Sequence, residues 1–522
     1  MVPELKVRQL PKRLKLPELP RPERTRRLQT WQLTAGAATA GLALAAGLVT
    51  AAGPWDSGQR TAEREWAASQ SRDGGADHGR GDGRGTAKGP RPAPSAPGVL
   101  AALKAPTGAG PGPAKDAIAD VLDPLLKDPS LGQRSTGSVV DAVTGEELYG
   151  VRTGDAVTPA STIKIATAVA ALSALGPDHR IETRVVAGPD EAEITLVGGG
   201  DPTLSARKDT DGGASLRTLA DDTAKALKDR SGAGRGDAEV RLSYDASLYS
   251  GPVLHPIGPN DNIAPVMALA VDQGRLDDST RGPAPRVADP ALEAARAFAG
   301  LLRDRGVEVQ GEPHPAKANK GDKKDKGAKG AKGAKTLAQA KSAPLSALVE
   351  RMLTRSDNDI AEALVRQTAL AADEPASFAG ARRAVTDQLA ELELPLGGAR
   401  FADGSGLDRA DKVTVRLLTA LLARAADPDH PELRPALTGL PVAGFTGTLR
   451  NRYADPDTAS ATGLVRAKTG TLTGVNTLAG TVVDADGRLL AFAFTASGTT
   501  DPHAAKSTLD RLAATVTNCA CH

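Results

Sequence analysis

Aromatic side chains are nearly missing from this 522-residue sequence, where Phe, Tyr and Trp together make up 2%. A chain so poor in large rings, with 56 Gly and 37 Pro, is not expected to pack along its whole length. Cysteine is just as scarce. Both cysteines lie in Asn518-Cys519-Ala520-Cys521-His522, which excludes a disulfide framework and a spaced zinc motif. That cluster offers a small terminal disulfide or a pair of thiols, and no second cluster exists to complete a four-ligand metal site. Nor is there an excess of one charge. Lys+Arg at 65 against Asp+Glu at 63 leave +2, which argues against nucleic acid or any other general polyanion as a partner.

Charge is local instead. Residues 1–32 carry all their basic groups in the first 27 positions, nine Lys/Arg against three Glu, broken by prolines. Leu28 to Trp55 has no charge at all. Its apolar heart, residues 33–53, is long enough as a helix to cross a hydrocarbon core of ~30 Å. The preceding basic residues orient it with the N-terminus inside. It reads as a transmembrane anchor or as a signal segment, with Val49-Thr50-Ala51 as a tolerable cleavage site. Either way the bulk of the protein is expected outside the cytoplasm, in the cell envelope. Residues 54–112 are Gly, Pro, Ala, Ser and charge with almost no large apolar side chains, and read as a disordered linker. The other charged stretch, 317–341, holds nine Lys with Gly-Ala-Lys repeated. It reads as a low-complexity loop tip, or as a contact to an anionic wall polymer.

Folded sequence begins near Pro113. Ile118, Val121, Leu122, Leu125 and Leu126 predict a helix despite Pro124. A hairpin follows, with strands at Gly137–Ala142 and Glu147–Gly150 and a turn at Thr144-Gly145. From 186 to 345 the pattern changes to short strand-like runs and turns with one helix at Leu292 to Arg305, which reads as an inserted region. After 345 come helices at Leu345–Leu353, Ile360–Ala371 and Val413–Ala425. Strands at Leu464–Thr471, Asn476–Val483 and Arg488–Thr495 and a helix from Pro502 close the chain. The fold class expected is α+β: one antiparallel sheet built from both ends of the folded part, covered by helices, with 113–185 and 346–522 flanking the insert 186–345.

Within this frame, Pro159-Ala160-Ser161-Thr162-Ile163-Lys164 opens an apolar helix. Three residues apart on a helix, Ser161 and Lys164 share a face. A serine hydroxyl needs a base to become nucleophilic, and a desolvated lysine amine can serve. Ser205 and Lys208 have the same spacing, but in a charged, loop-like context. Two further triplets single out the first pair. Ser356-Asp357-Asn358 falls between two helices, where Ser356 also suits a helix N-cap, and Lys468-Thr469-Gly470-Thr471 falls on the first closing strand.

With S-x-x-K, S-D-N and K-T-G in this order, the chain resembles the penicillin-recognising serine enzymes. It is most similar to the penicillin-binding protein 4 family of D-alanyl-D-alanine carboxypeptidase/endopeptidases, peptidase family S13. Gly199-Gly200-Asp201-Pro202-Thr203-Leu204, Asp403-Gly404-Ser405-Gly406-Leu407 and Gly447-Thr448-Leu449 agree with that family, and the likeness runs from about 113 to 522. About 195 residues separate Ser161 from Ser356, far more than a compact β-lactamase allows. Glu391-Leu392-Glu393-Leu394-Pro395 lacks the Asn that class A β-lactamases use for deacylation.

The resemblance implies a penicillin-sensitive DD-peptidase acting on peptidoglycan stem peptides that end in D-Ala-D-Ala, without metal or organic cofactor. It implies Ser161 as nucleophile, Lys164 as base, Ser356 as proton relay and Asn358 as the group that holds Lys164 and the substrate amide. Lys468, Thr469, Gly470 and Thr471 would hold the substrate, with the backbone N–H groups of Ser161 and Thr471 as oxyanion hole. A β-lactamase or esterase, and a silent penicillin-binding or wall-binding module, are the alternatives.

Overall fold

The run Leu490-Ala491-Phe492-Ala493-Phe494 alternates large and small side chains, and every one of them is buried. A strand buried on both faces sits inside a sheet covered by helices on each side. The computed structural model, which describes residues 115–518 except 189, 191, 211, 232–237 and 319–334, has this arrangement.

Helix α1 (Lys115–Leu126) is followed by strands β1 (Arg134–Asp141) and β2 (Glu147–Val151). A short 3-10 turn, Ala160–Ile163, leads into α2 (Lys164–Leu175). The chain closes with β8 (Arg466–Leu472), β9 (Val475–Val483), β10 (Leu489–Ser497) and a long helix, Pro502–Asn518. The five strands form one sheet in the order β2-β1-β10-β9-β8, with every neighbouring pair antiparallel. This is the α+β sheet expected from the two ends of the folded part.

The alternation sorts the layers. Leu490, Phe492 and Phe494 pack with Leu478 and Val482 against α1 and the last helix, through Leu122, Leu509 and Leu512. Ala479, Ala491 and Ala493 face the other way, where their small size admits α2 and the helices around it. Those helices are α5 (Leu345–Arg355), α6 (Asn358–Ala371), α7 (Phe378–Glu391) and α8 (Val415–Ala426). Helix α2 is buried from Lys164 to Leu172 on every side. Burying Ile165, Val169 and Leu172 contributes about 1.5–3 kcal/mol each, which offsets the cost of starting this helix with a buried lysine.

A second five-stranded sheet takes its strands from β3 (Glu182–Ala187), β4 (Glu193–Val197), β5 (Ala238–Asp245), β6 (Val307–Pro315) and β7 (Thr336–Lys341). Its order is β6-β5-β4-β3-β7, with β4–β5 and β5–β6 parallel and the other pairs antiparallel. Helices α3 (Leu216–Ser231) and α4 (Pro290–Arg303) cover it. The sequence pattern shows strand-like runs at Glu193–Val197 and Glu239–Tyr244, which are β4 and β5, and the helix that is α4, but passes over α3, α7, β3 and β7. Helix α3 is rich in charge, and β3 carries Glu182 and Arg184 among its apolar residues, which blurs the periodic signal.

The expected segments 1–32, 33–53 and 54–112, most of the lysine tract, and Cys519 and Cys521 lie outside the described residues. Among the described residues no helix is long and apolar enough to cross a membrane.

Candidate active site

Ser161 is not on the helix proper. It occupies the 3-10 turn, and Lys164 is the first residue of α2. The tighter turn still brings the side chains together, with Lys164 Nζ donating to Ser161 Oγ at 3.1 Å. The turn is entered through Ala160, whose φ is +48°, a conformation costly for a residue with a Cβ. Two glycines make room for it. A Cβ on Gly406 would lie 2.0 Å from the Ala160 carbonyl oxygen, and one on Gly470 would lie 2.0 Å from Thr477 Oγ1 and 2.7 Å from the Pro159 oxygen.

Lys164 Nζ also donates to Asn358 Oδ1 at 2.7 Å and to the Ser405 carbonyl at 2.5 Å. The amine is fully buried, and burial lowers its pKa to about 8 against the pull of Asp403, Asp357, Glu362 and Asp411. On β8, Lys468 Nζ donates to Ser356 Oγ at 2.9 Å and to the Thr469 carbonyl at 2.8 Å. Burial, reinforced by the like charge of Lys164, pushes Lys468 well below the ordinary lysine value. Desolvation, which the sequence reading invoked for Lys164, is the main cause of its lowered pKa, and the repulsion between the two lysines bears on Lys468.

Ser356 does not cap a helix N-terminus. It ends α5 in the left-handed conformation (φ +56°), and Asp357 is the N-cap of α6, accepting from Ile360 N at 3.0 Å. Thr469 Oγ1 reaches Thr448 Oγ1 at 2.8 Å. Ser161, Ser356, Asn358 and Thr471 line one cleft of about 220 Å³, rimmed by Arg275, Arg281, Arg286 and Arg355. The three triplets thus meet at one place from a turn, an inter-helix junction and an edge strand.

Several residues around the cleft gave no sequence signal. Asn262 accepts from Asn358 Nδ2 through its carbonyl at 3.0 Å, and Ala264 N donates to Asp359 at 2.9 Å. Arg286 pairs with Asp359 at 3.0 Å, while burial and Asp357 push that carboxyl up to about 6. All of these partners come from 246–289, where loops dominate and periodicity says nothing. The loop Asp403–Leu407, matched in sequence only as a family stretch, supplies the Ser405 carbonyl. Glu362 Oε1 accepts from Gly404 N and Ser405 N at 2.8 and 3.1 Å, and Thr167 Oγ1 donates to the Gly404 carbonyl at 2.7 Å.

Among the described residues, His255, Glu362 and Asp403 bring metal-ligand types of atom within 4.8 Å of one another. Both carboxylates are already taken up by protein donors, Glu362 by two amides and Arg366, Asp403 by its own loop and His255. A saturated hydrogen-bond network explains this group without an ion.

Comparison with known proteins agrees with the geometry. The family model described as D-Ala-D-Ala carboxypeptidase 3 (S13) matches residues 118–285 and 277–518. A carboxypeptidase of Mycobacterium tuberculosis is 36% identical over 83% of this chain and 90% of its own length. Carboxypeptidase DacB of Mycolicibacterium smegmatis is 38% identical over the same shares. Among solved structures, penicillin binding protein 4 of Haemophilus influenzae superposes with a TM-score of 0.58 at 22% identity, over 76% of this chain and 97% of that one. That likeness bears on the fold. Taken with the convergence of Ser161, Lys164, Ser356, Asn358 and Lys468 on one cleft, the match along nearly the whole described chain shows that this protein belongs to the S13 family of D-Ala-D-Ala carboxypeptidases.

Proposed function

We propose that this carboxypeptidase removes the terminal D-Ala from peptidoglycan stem peptides through an acyl-enzyme on Ser161. The observation that carries the reading is the position of Lys164 Nζ, 3.1 Å from Ser161 Oγ and 2.7 Å from Asn358 Oδ1 at full burial. Neutral Lys164 takes the Ser161 proton as Oγ attacks the carbonyl carbon of the penultimate D-Ala. The tetrahedral oxyanion is held by the N–H groups of Ser161 and Thr471, each worth on the order of 3 kcal/mol. As the C–N bond breaks, Ser356 gives its hydroxyl proton to the departing amine and takes one from Lys164, which returns to its neutral form. Water then adds to the ester and frees Ser161.

Lys468, Thr469 and Thr471 receive the substrate's terminal carboxylate, and Gly470 keeps the strand clear of the nucleophile turn. Burial and the like charge of Lys164 lower the pKa of Lys468, and an incoming carboxylate favours its charged form.

The same acylation accounts for inhibition by β-lactams; the Haemophilus influenzae penicillin binding protein 4 has been solved in complex with one. Residues 113–185 and 346–522 are read as the catalytic domain, and 186–345 as the insert. Residues 1–32 lie on the cytoplasmic side and 33–53 act as anchor or signal, with the enzyme in the bacterial envelope. The lysine-rich stretch 317–341 is read as a loop tip, with a contact to an anionic wall polymer as the alternative. A silent binding module is not favoured, because a pure binder has no use for the full set, and a β-lactamase is not favoured because of the long Ser161 to Ser356 separation and the missing Asn after Glu391.

The test is mass spectrometry of muropeptides after incubation with the protein. Loss of D-Ala from pentapeptides supports the carboxypeptidase step, and conversion of cross-linked dimers to monomers adds an endopeptidase. Penicillin acylation of Ser161 with neither product would leave a binding module.

A further inference from the structure

His255 lies in the irregular stretch between β5 and α4, far in sequence from every catalytic triplet, yet only 3% of it is exposed. Both ring nitrogens are engaged. Nδ1 accepts from Ile257 N at 3.3 Å, so the proton sits on Nε2, which donates to Asp403 Oδ2 at 2.9 Å. Phe378 packs edge-on against the imidazole at 5.5 Å between centroids and fixes its plane.

Asp403 in turn gathers its own loop. It accepts from Ser405 N at 2.9 Å, Gly406 N at 2.5 Å, Ser405 Oγ at 3.0 Å and Asp408 N at 2.8 Å. The loop so tightened aims the Ser405 carbonyl at Lys164 Nζ, 2.5 Å away, and at Ser161 Oγ, 3.4 Å away. Asp411 lies against the same carboxylate and accepts from Ala402 N and Asp403 N. Oδ2 of Asp403 already accepts from Ser405 Oγ and Asp408 N, and His255 adds a third donor from outside the loop that ties this carboxylate to the stretch between β5 and α4.

We infer that His255 is a positioning residue for the general base, fixing through Asp403 the Ser405 carbonyl that holds Lys164 against Ser161. The inference rests on the reading of Lys164 as base. Nothing about His255 is legible from the three triplets, and it belongs to the insert rather than to the catalytic sheet. The insert thereby becomes a working part of the active site.

The test measures D-Ala release from a soluble D-Ala-D-Ala peptide with the whole protein. His255→Leu should lower kcat about tenfold or more and leave KM within about twofold, because the defect lies in the chemical step. His255→Gln should recover kcat to within about threefold of the starting enzyme, since a Gln amide nitrogen reaches where imidazole Nε2 stood; the shorter His255→Asn should recover less. Equal kcat for the Leu and Gln variants, or a Leu variant as active as the parent, overturns the inference. Where the Leu variant does not fold, the Gln and Asn pair decides, and equal kcat in those two overturns it. Lys164→Met is run alongside. Full activity in that variant removes the base and this inference with it, whereas an inactive Lys164→Met beside a fully active His255→Leu removes this inference alone.

Discussion

The amide of Gln273 donates to both carboxylate oxygens of Asp357, at 3.0 and 2.8 Å. Gln273 is 5% exposed and is held in the left-handed conformation at φ +55°, next to Asp272 at +50°. Strain of this kind persists only where surrounding contacts over-determine it. Here it aims one side chain from the second sheet's connections at the middle residue of Ser356-Asp357-Asn358. Gln273→Ala should slow acylation by a fluorescent penicillin about tenfold, because Asp357 then caps α6 without fixing its neighbours. Gln273→Glu should be worse, since a second carboxylate would face the first. A parental acylation rate in Gln273→Ala would show that the junction holds itself.

The choice between two serines is open to direct test. Ser205 Oγ donates to Asp272 Oδ1 at 2.6 Å, and its backbone bridges to Ser215. It braces a loop. Ser161→Ala should abolish covalent penicillin labelling. Ser205→Ala should keep it and lose about 1 kcal/mol of stability with the hydrogen bond. Labelling gels and thermal melts separate the two, and the reverse pattern would move the nucleophile.

Acylation should depend on pH through Lys164. Burial holds its pKa near 8, below the ordinary lysine value. Below that pH the amine is protonated and cannot accept the Ser161 proton, so the rate rises with pH and levels off above about 8. Lys164→Met should remove this limb and lower the plateau by about 10²–10⁴. A limb that survives in Lys164→Met belongs to another group.

Glu362 and Arg366 form a buried pair on α6 at 2.8 Å, with both side chains almost wholly out of solvent. Glu362 also receives Gly404 N and Ser405 N. Glu362→Ala should cost about 3–5 kcal/mol in urea unfolding, because Arg366 is left charged and alone. Glu362→Ala with Arg366→Met should regain part of that stability but not the activity, since Gly404 N loses its carboxylate partner and Ser405 N keeps only Asp403.

The lysine tract can be tested for charge but not by removal. Strands β6 and β7 lie at opposite edges of their sheet, four strand gaps apart. At ~4.8 Å per gap the connection from Ala316 to Lys335 must span about 19 Å, so at least about six residues are needed. Replacing its lysines with serine should leave turnover of a soluble peptide unchanged and weaken binding to an anionic polymer, as measured by sedimentation. A large loss of turnover would assign the tract to the active site.

Much was legible without coordinates. The apolar, closely spaced residues of Ile163 to Leu172 and of Leu489 to Phe494 require burial wherever they lie, so a central helix and central strands followed from local chemistry. Ser161, Lys164, Ser356, Asn358 and Lys468 stood out because three short triplets in a fixed order are scarce. What surrounds them was not legible. His255, Asn262, Gln273 and Arg286 sit in irregular chain, where no period marks a residue as buried or aimed. Ser405 acts through a backbone carbonyl that any residue type would carry. Their partners lie far off in sequence: 148 positions separate His255 from Asp403, and 84 separate Gln273 from Asp357. The sequence by itself determined which groups could do the chemistry. Only the tertiary structure decided which loops hold them, because a hydrogen bond between distant segments depends on where the chain returns and leaves no trace in the spacing of either segment.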